Sequence, residues 1–191
     1  MVNKFTDIGY AIDALEYWWG PYAWERVGYV LTTEGALEIP TNIAYPKFMI
    51  GESVGANGDL FAHELGHHWW GDLVAPSIHN HMWIKEGPAE YSAHLFVEFK
   101  DGEDDFIEVV KDNLEFILNQ AHIDDNGYHP MSPMPDAQIY GRHTYYKGAA
   151  VLHNLRGYLG DELFRQAMTG VQENYAYTSF YPDEFKDALE D

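Results

Sequence analysis

The stretch Phe61-Ala62-His63-Glu64-Leu65-Gly66-His67 constrains this chain more than any other, because one chemical purpose and one backbone conformation require each other there. Two histidines four apart lie on the same face of an α-helix, about 6 Å apart along its axis, so that both imidazoles reach one ion. Glu64 falls on the same turn, where a carboxylate is placed to take a proton from a water that the ion activates. His-Glu-x-x-His thus reads as a proposal for metal-assisted hydrolysis. A zinc hydrolase also needs a third protein ligand and one open position. Glu86 is the candidate: residues 68 to 85, 18 in all, separate it from His67. Glu90 follows one turn later and is placed to orient a ligand imidazole through its other ring nitrogen. A third histidine in a His-x-x-Gly-x-x-His arrangement is excluded, since it would need glycine at Trp70 and histidine at Leu73. The remaining histidines, His68, His79, His81, His94, His122, His129, His143 and His153, lack ligand spacing around a second carboxylate, and no second metal is expected.

The rest of the chain reads as the scaffold for such a site. Its 191 residues fit a single domain, 1–191, and 46 % hydrophobic residues suffice for a packed core. The formal net charge is 11 − 31 = −20, which argues against nucleic acid or an anionic membrane as partner and favours a cationic substrate end. No cysteine is present, so no disulfide framework is expected, and neither a signal-peptide pattern nor an apolar run of membrane-spanning length is found.

Apolar spacing predicts a helix over 6–19, stopped by Gly20-Pro21. Strands are expected over 27–32 and 45–50, forming a small sheet whose edge offers Gly35 and Ala36 as backbone contacts for an extended peptide. The glycine-rich loop Gly51 to Gly58 lacks the Lys-Ser/Thr ending of a phosphate loop and leads to the metal helix, with Asp59 as its cap. A second helix is defined by Pro88 in its first turn and runs over 89–99, placing Glu86 at its start. An amphipathic helix is expected over 103–120, with Phe106, Val109, Val110, Leu114, Ile117 and Leu118 on its apolar side. A proline-bearing connection, 122–142, is expected to rim the cleft, before helices over 144–158, 161–173 and 182–190.

Four motifs in order resemble the zinc aminopeptidases of the alanyl aminopeptidase and leukotriene hydrolase type, the gluzincins. They are Gly35-Ala36-Leu37-Glu38 for the family's Gly-x-Met-Glu-Asn, His63-Glu64-Leu65-Gly66-His67, Trp83-Ile84-Lys85-Glu86-Gly87-Pro88-Ala89, and Tyr145-Tyr146-Lys147-Gly148 for Tyr-x-Lys-Gly. Leu37 and Ile39 depart from the family's Met and Asn, which bears on contacts to the first substrate side chain. The resemblance spans about Leu15 to the end and implies an α+β, thermolysin-like zincin catalytic domain, with a small mixed sheet in the N-terminal half and mostly helices after it.

It also implies removal of N-terminal residues from peptides. One Zn2+ would sit on His63, His67 and Glu86; Glu64 would be the general base, Tyr145 the donor to the developing oxyanion, and Glu38 the anchor for the substrate's free α-ammonium. Family members usually carry flanking domains, so this chain is expected to be a catalytic portion of a longer one. A thermolysin-like endopeptidase and an inactive scaffold or binding relative of the same fold are the alternatives.

Overall fold

The computed structural model describes residues 4–51 and 59–190. Helix α1, Ile8–Trp19, follows a 3-10 turn, Lys4–Asp7, and ends where the sequence predicts: Gly20, at φ +103, donates its N–H to the Glu16 carbonyl at 3.1 Å. Strand β1, Tyr29–Thr32, pairs in parallel with β2, Ile43–Pro46, with Tyr29 opposite Ile43. On its other side β2 meets Leu37 in an antiparallel bridge at Ala44, which gives the N-terminal half its small mixed sheet. The second strand ends earlier than expected. Pro46 has no N–H with which to extend a ladder, and the chain turns into a 3-10 helix, Lys47–Gly51, instead of continuing extended to Ile50. Beyond Gly51, the glycine-rich loop lies outside the described residues.

Helix α2, Leu60–Gly66, carries the His-Glu-x-x-His motif. Asp59 holds its N-cap position but makes no side-chain cap bond; its carbonyl accepts the His63 N–H at 3.2 Å. Strand β3, Val74–Pro76, then leads to α3, Trp83–Asp101, the helix around which the others pack. Helix α3 begins ahead of Pro88 rather than at it. The N–H groups of Lys85 and Glu86 both bond the Met82 carbonyl at 2.9 Å, so the first turn is secured, and Pro88 omits only the bond to Ile84. Glu86 therefore lies inside the helix, already fixed in direction.

Helix α4, Glu103–Phe116, opens into a π-turn, Ile117–Ala121, and a short α5, His122–Asp124, instead of running as one α-helix to Gln120. Of its expected apolar side only Phe106 is buried; Val109 and Val110 pack partly against the core, and Leu114 and Leu118 are 50 % and 63 % exposed. A second π-turn, His143–Lys147, runs into α6, Gly148–Leu159, followed by α7, Asp161–Tyr175. Strand β4, Thr178–Phe180, pairs in parallel with β3 in a second two-stranded ladder that the sequence does not announce. The last helix is α8, Pro182–Glu190, with proline at its first position. No helix among the described residues is long and apolar enough to cross a membrane.

The core fills with aromatics, Trp19, Trp69, Trp70, Tyr91 and Phe164 being fully buried. Two close approaches set where the functional helices meet. A Cβ on Gly66 of α2 would lie 2.5 Å from Ser92 Oγ of α3, a hydroxyl already fixed by donating to the Pro88 carbonyl at 2.7 Å and accepting from Trp19 Nε1 at 2.9 Å. A Cβ on Gly148 of α6 would lie 2.7 Å from Gly87 Cα of α3. Glycine at these crossings lets α2 press against α3 at Ala89 and Ser92, and α6 press against it at Gly87, next to Glu86.

Candidate active site

Helical spacing puts His63 and His67 on the buried face of α2, and α3 brings Glu86 to meet them. His67 Nε2 stands 3.1 Å and His63 Nε2 3.7 Å from the same Glu86 oxygen, Oε2. One potential ligand atom from each residue lies within 4.8 Å of the others, and all three residues are buried. The opposite ring nitrogens are committed: His63 Nδ1 donates to Glu90 Oε2 at 2.9 Å, and His67 Nδ1 donates to the Trp70 carbonyl at 2.9 Å. Those two bonds fix the tautomers, so both Nε2 lone pairs face Glu86. Two imidazole nitrogens and one carboxylate oxygen, converging with their outer atoms already held, fit the donor set of a zinc site with an open position. Burial alone would raise the Glu86 carboxyl, but the imidazoles and Lys85 beside it hold it well below the usual range.

The cavity over this cluster, about 620 Å³, is lined by α2, α3, the sheet edge and the second π-turn. Glu64 lines it and is raised above an ordinary glutamate, because burial outweighs the attraction of the two histidines. Tyr145 enters from the π-turn with its ring stacked on His63, centroids 5.9 Å apart. Burial, and then the charge of Glu86, push its phenol well up, so it stays protonated and able to donate. Tyr146 also reaches the cavity wall, but its ring lies against Phe116 at 4.4 Å and its carbonyl accepts from Asn113. π-Turns concentrate at functional sites because the extra residue redirects side chains, as it does for these neighbouring tyrosines.

Gly35, Ala36, Leu37 and Glu38 form the opposite wall, as expected of the sheet edge. Glu38 comes close enough to Glu64 and His67 for their ligand-type atoms to lie within 4.8 Å of one another. It does not stand free for an incoming ammonium. Lys85 Nζ sits 2.7 Å from Glu38 Oε1 and 2.8 Å from Glu86 Oε1. Burial raises Glu38, but the neighbouring His67 imidazole and the Lys85 bond more than offset it, and the carboxyl is lowered. Leu37 and Ile39, where the motif departs, are 52 % and 45 % exposed. Of the 122–142 connection, Tyr140 and Arg142 at its end rim the cavity.

Sequence reasoning missed Lys85 and Asp125. The first sits in the quoted motif, but in a helix adjacent side chains ordinarily diverge, so nothing local signals its contact with Glu86. Asp125 secures the Tyr145 turn from a distance, accepting the Arg142 N–H at 2.7 Å and the His143 N–H at 2.9 Å, with the His143 ring bonded to the same carboxylate. An aspartate followed far along the chain by the turn it caps has no spacing signature.

Helix-borne imidazoles, a carboxylate from a second helix and a further acidic residue thus share one cavity of an α+β domain, in the arrangement of a metal-binding site. The chain belongs to peptidase family M1: the family described as Peptidase family M1 domain matches residues 15–191. Among curated relatives, rice "Aminopeptidase M1-C" is 30 % identical over 135 residues, covering 68 % of this chain and 15 % of that protein. Human "Endoplasmic reticulum aminopeptidase 2" is 25 % identical over 198 residues, covering 98 % of this chain and 20 % of that one. Among solved structures, an M1 zinc metallopeptidase from Deinococcus radiodurans superposes with a TM-score of 0.83 at 22 % identity, over 96 % of this chain and 40 % of that one. Leukotriene A4 hydrolase from Saccharomyces cerevisiae gives 0.78 at 20 %, over 96 % and 31 %. The thermolysin-like α+β fold read from the motifs is thus the fold observed.

Proposed function

We propose that this chain is the catalytic portion of a zinc aminopeptidase, with His63, His67 and Glu86 holding the metal. The observation that carries the reading is the convergence of two Nε2 atoms and one Glu86 oxygen beside Glu64, in a cavity whose far wall ends in Glu38. When bound, zinc would supply Lewis acidity to the scissile carbonyl and acidify water. Glu64 accepts the proton of the attacking water and returns it to the leaving amine. Tyr145 donates its hydroxyl to the carbonyl oxygen as negative charge develops there, which is where a fixed donor counts most. Glu38 anchors the α-ammonium and so sets cleavage one residue from the N-terminus, while Gly35 and Ala36 hold the peptide backbone. The family membership and the relatives' names support peptide substrates with a free N-terminus. The small share of each relative that the chain spans supports flanking domains as partners.

The test compares aminoacyl amides with their acetylated forms on zinc-loaded protein. Acetylation removes the ammonium that Glu38 would hold beside Lys85, at a cost of about 1.5 kcal/mol, or roughly tenfold in kcat/KM. Glu38→Ala should shrink the difference. Equal cleavage of both substrates, before and after Glu38→Ala, would sink the aminopeptidase reading. One observation favours the thermolysin-like alternative, namely that Glu38 is already paired to Lys85, and equal cleavage is what that alternative predicts.

A further inference from the structure

Lys85 is the feature of the cavity that the proposed chemistry does not use. Its ammonium bridges two carboxylates from different walls, Glu38 Oε1 at 2.7 Å and Glu86 Oε1 at 2.8 Å, and only 18 % of its side chain is exposed. Its stem has a prepared bed. Gly71, at φ +138, leaves open the space where a Cβ would come within 2.8 Å of Lys85 Cε and 3.3 Å of its Cγ. The other cationic side chain among the described lining residues, Arg142, is turned to Asp124 at 3.3 Å. The bridge also divides the work of Glu86. Oε1 is held by Lys85, while Oε2 alone faces both imidazoles.

We propose that Lys85 is a specificity-determining residue that occupies part of the α-ammonium seat, so that a substrate amine must share Glu38 with Lys85 or displace it. This rests on the reading of Glu38 as the amine anchor. A carboxylate already holding one ammonium gains less from a second, and two like charges on one seat repel. The consequence is a narrower preference for free over blocked N-termini than an unshared Glu38 would give. Lys85 thereby sets how strict an exopeptidase the domain is, without touching the reacting atoms.

The experiment measures binding, so it does not depend on turnover. Dissociation constants for L-alaninamide and N-acetyl-L-alaninamide are taken by calorimetry on the zinc-loaded full chain in a Glu64→Gln background, with Lys85 intact, as Lys85→Met and as Lys85→Gln. Methionine keeps the stem packed on Gly71, and glutamine supplies a second variant with a polar end. Both should widen the preference for the free amine by about tenfold, through tighter binding of the free amine with the acetylated form unchanged. A preference that Glu38→Ala abolishes but neither Lys85 variant widens would overturn the role of Lys85 and leave the anchor standing. The absence of any preference sensitive to Glu38→Ala would overturn the anchor, and this proposal with it.

Discussion

Replacing Glu90 tests whether the metal site is held from behind as its geometry indicates. Glu90 lies in the cavity wall behind His63, and its carboxylate is committed to one bond, His63 Nδ1 to Glu90 Oε2 at 2.9 Å. Burial raises the Glu90 carboxyl, but His63 more than compensates and keeps it ionised, so the bond is charge-assisted. Such bonds contribute about 1.5–3 kcal/mol and neutral ones about 0.5–1.5. Glu90→Gln keeps an acceptor of the same reach and should lose about 1–1.5 kcal/mol, roughly tenfold in zinc affinity. Glu90→Ala frees the ring to rotate or change tautomer, and the loss should approach the upper part of the 10–100-fold range typical of outer-shell partners. Competition against a fluorescent zinc chelator reads both, with far-UV circular dichroism to show that α3 persists. An unchanged zinc dissociation constant in a folded Glu90→Ala protein would refute the reasoning. His67, whose outer partner is the Trp70 carbonyl, offers no equivalent side chain to remove, so the asymmetry between the two imidazoles is itself part of the expectation.

Other outcomes follow from the same cavity. Glu64→Gln should retain zinc and fold while losing at least about a hundredfold in rate; undiminished turnover would move proton abstraction to another group. Tyr145→Phe should lower kcat by about 10²- to 10³-fold with little change in KM, while Tyr146→Phe, whose ring serves the Phe116 contact, should stay near parental values; the reverse pattern would shift the role one residue along. Burial lowers His94 from 6.5 to about 4, so between those values the unfolded chain holds a proton that the folded one refuses, and stability falls as pH drops. By pH 5 this amounts to about 2 kcal/mol, and His94→Gln should remove that share of the difference between urea midpoints at pH 7 and pH 5. Asp72, pushed up to about 7 by burial and then by Glu38, acts in the opposite sense. Its folded form takes the proton first, so Asp72→Asn should steepen the acid loss, and a shallower one would contradict the assignment.

What could be read in advance divides along the range of the interactions. The four-residue spacing of His63 and His67, and of Glu86 and Glu90, is local helical geometry, and each pair lands on one face as the repeat requires. Motif order singled out Glu38 and Tyr145, and both line the cavity over the histidines. Element limits failed where a local signal met a tertiary one. Pro88 looked like a helix start but sits inside α3, because the Met82 carbonyl anchors an earlier turn. Leu114 and Leu118 looked like core but are exposed, on the side of α4 and its following π-turn turned away from the core. The pairing of β3 with β4 and the capping of the Tyr145 turn by Asp125 join distant segments, and no periodicity encodes them. The largest surprise in the site, Lys85 on Glu38, is a contact between a helix and a sheet edge that only the assembled fold brings together.

The backbone contact between Gly87 and Gly148 has a mechanical consequence. Glu86 precedes one glycine by a single residue, and Tyr145 precedes the other by three. With no side chains between the two helices there is nothing compressible at that point, so the wall that would hold the metal and the wall that would receive negative charge behave as one solid piece. On the other side, the short sheet edge bearing Gly35 to Glu38 is held by the Leu37–Ala44 bridge, by the Thr32 hydroxyl on the Glu34 and Gly35 carbonyls, and by the ammonium of Lys85. A lysine that competes for the amine seat is then also a latch, released by the same kind of charge that the seat is shaped to receive.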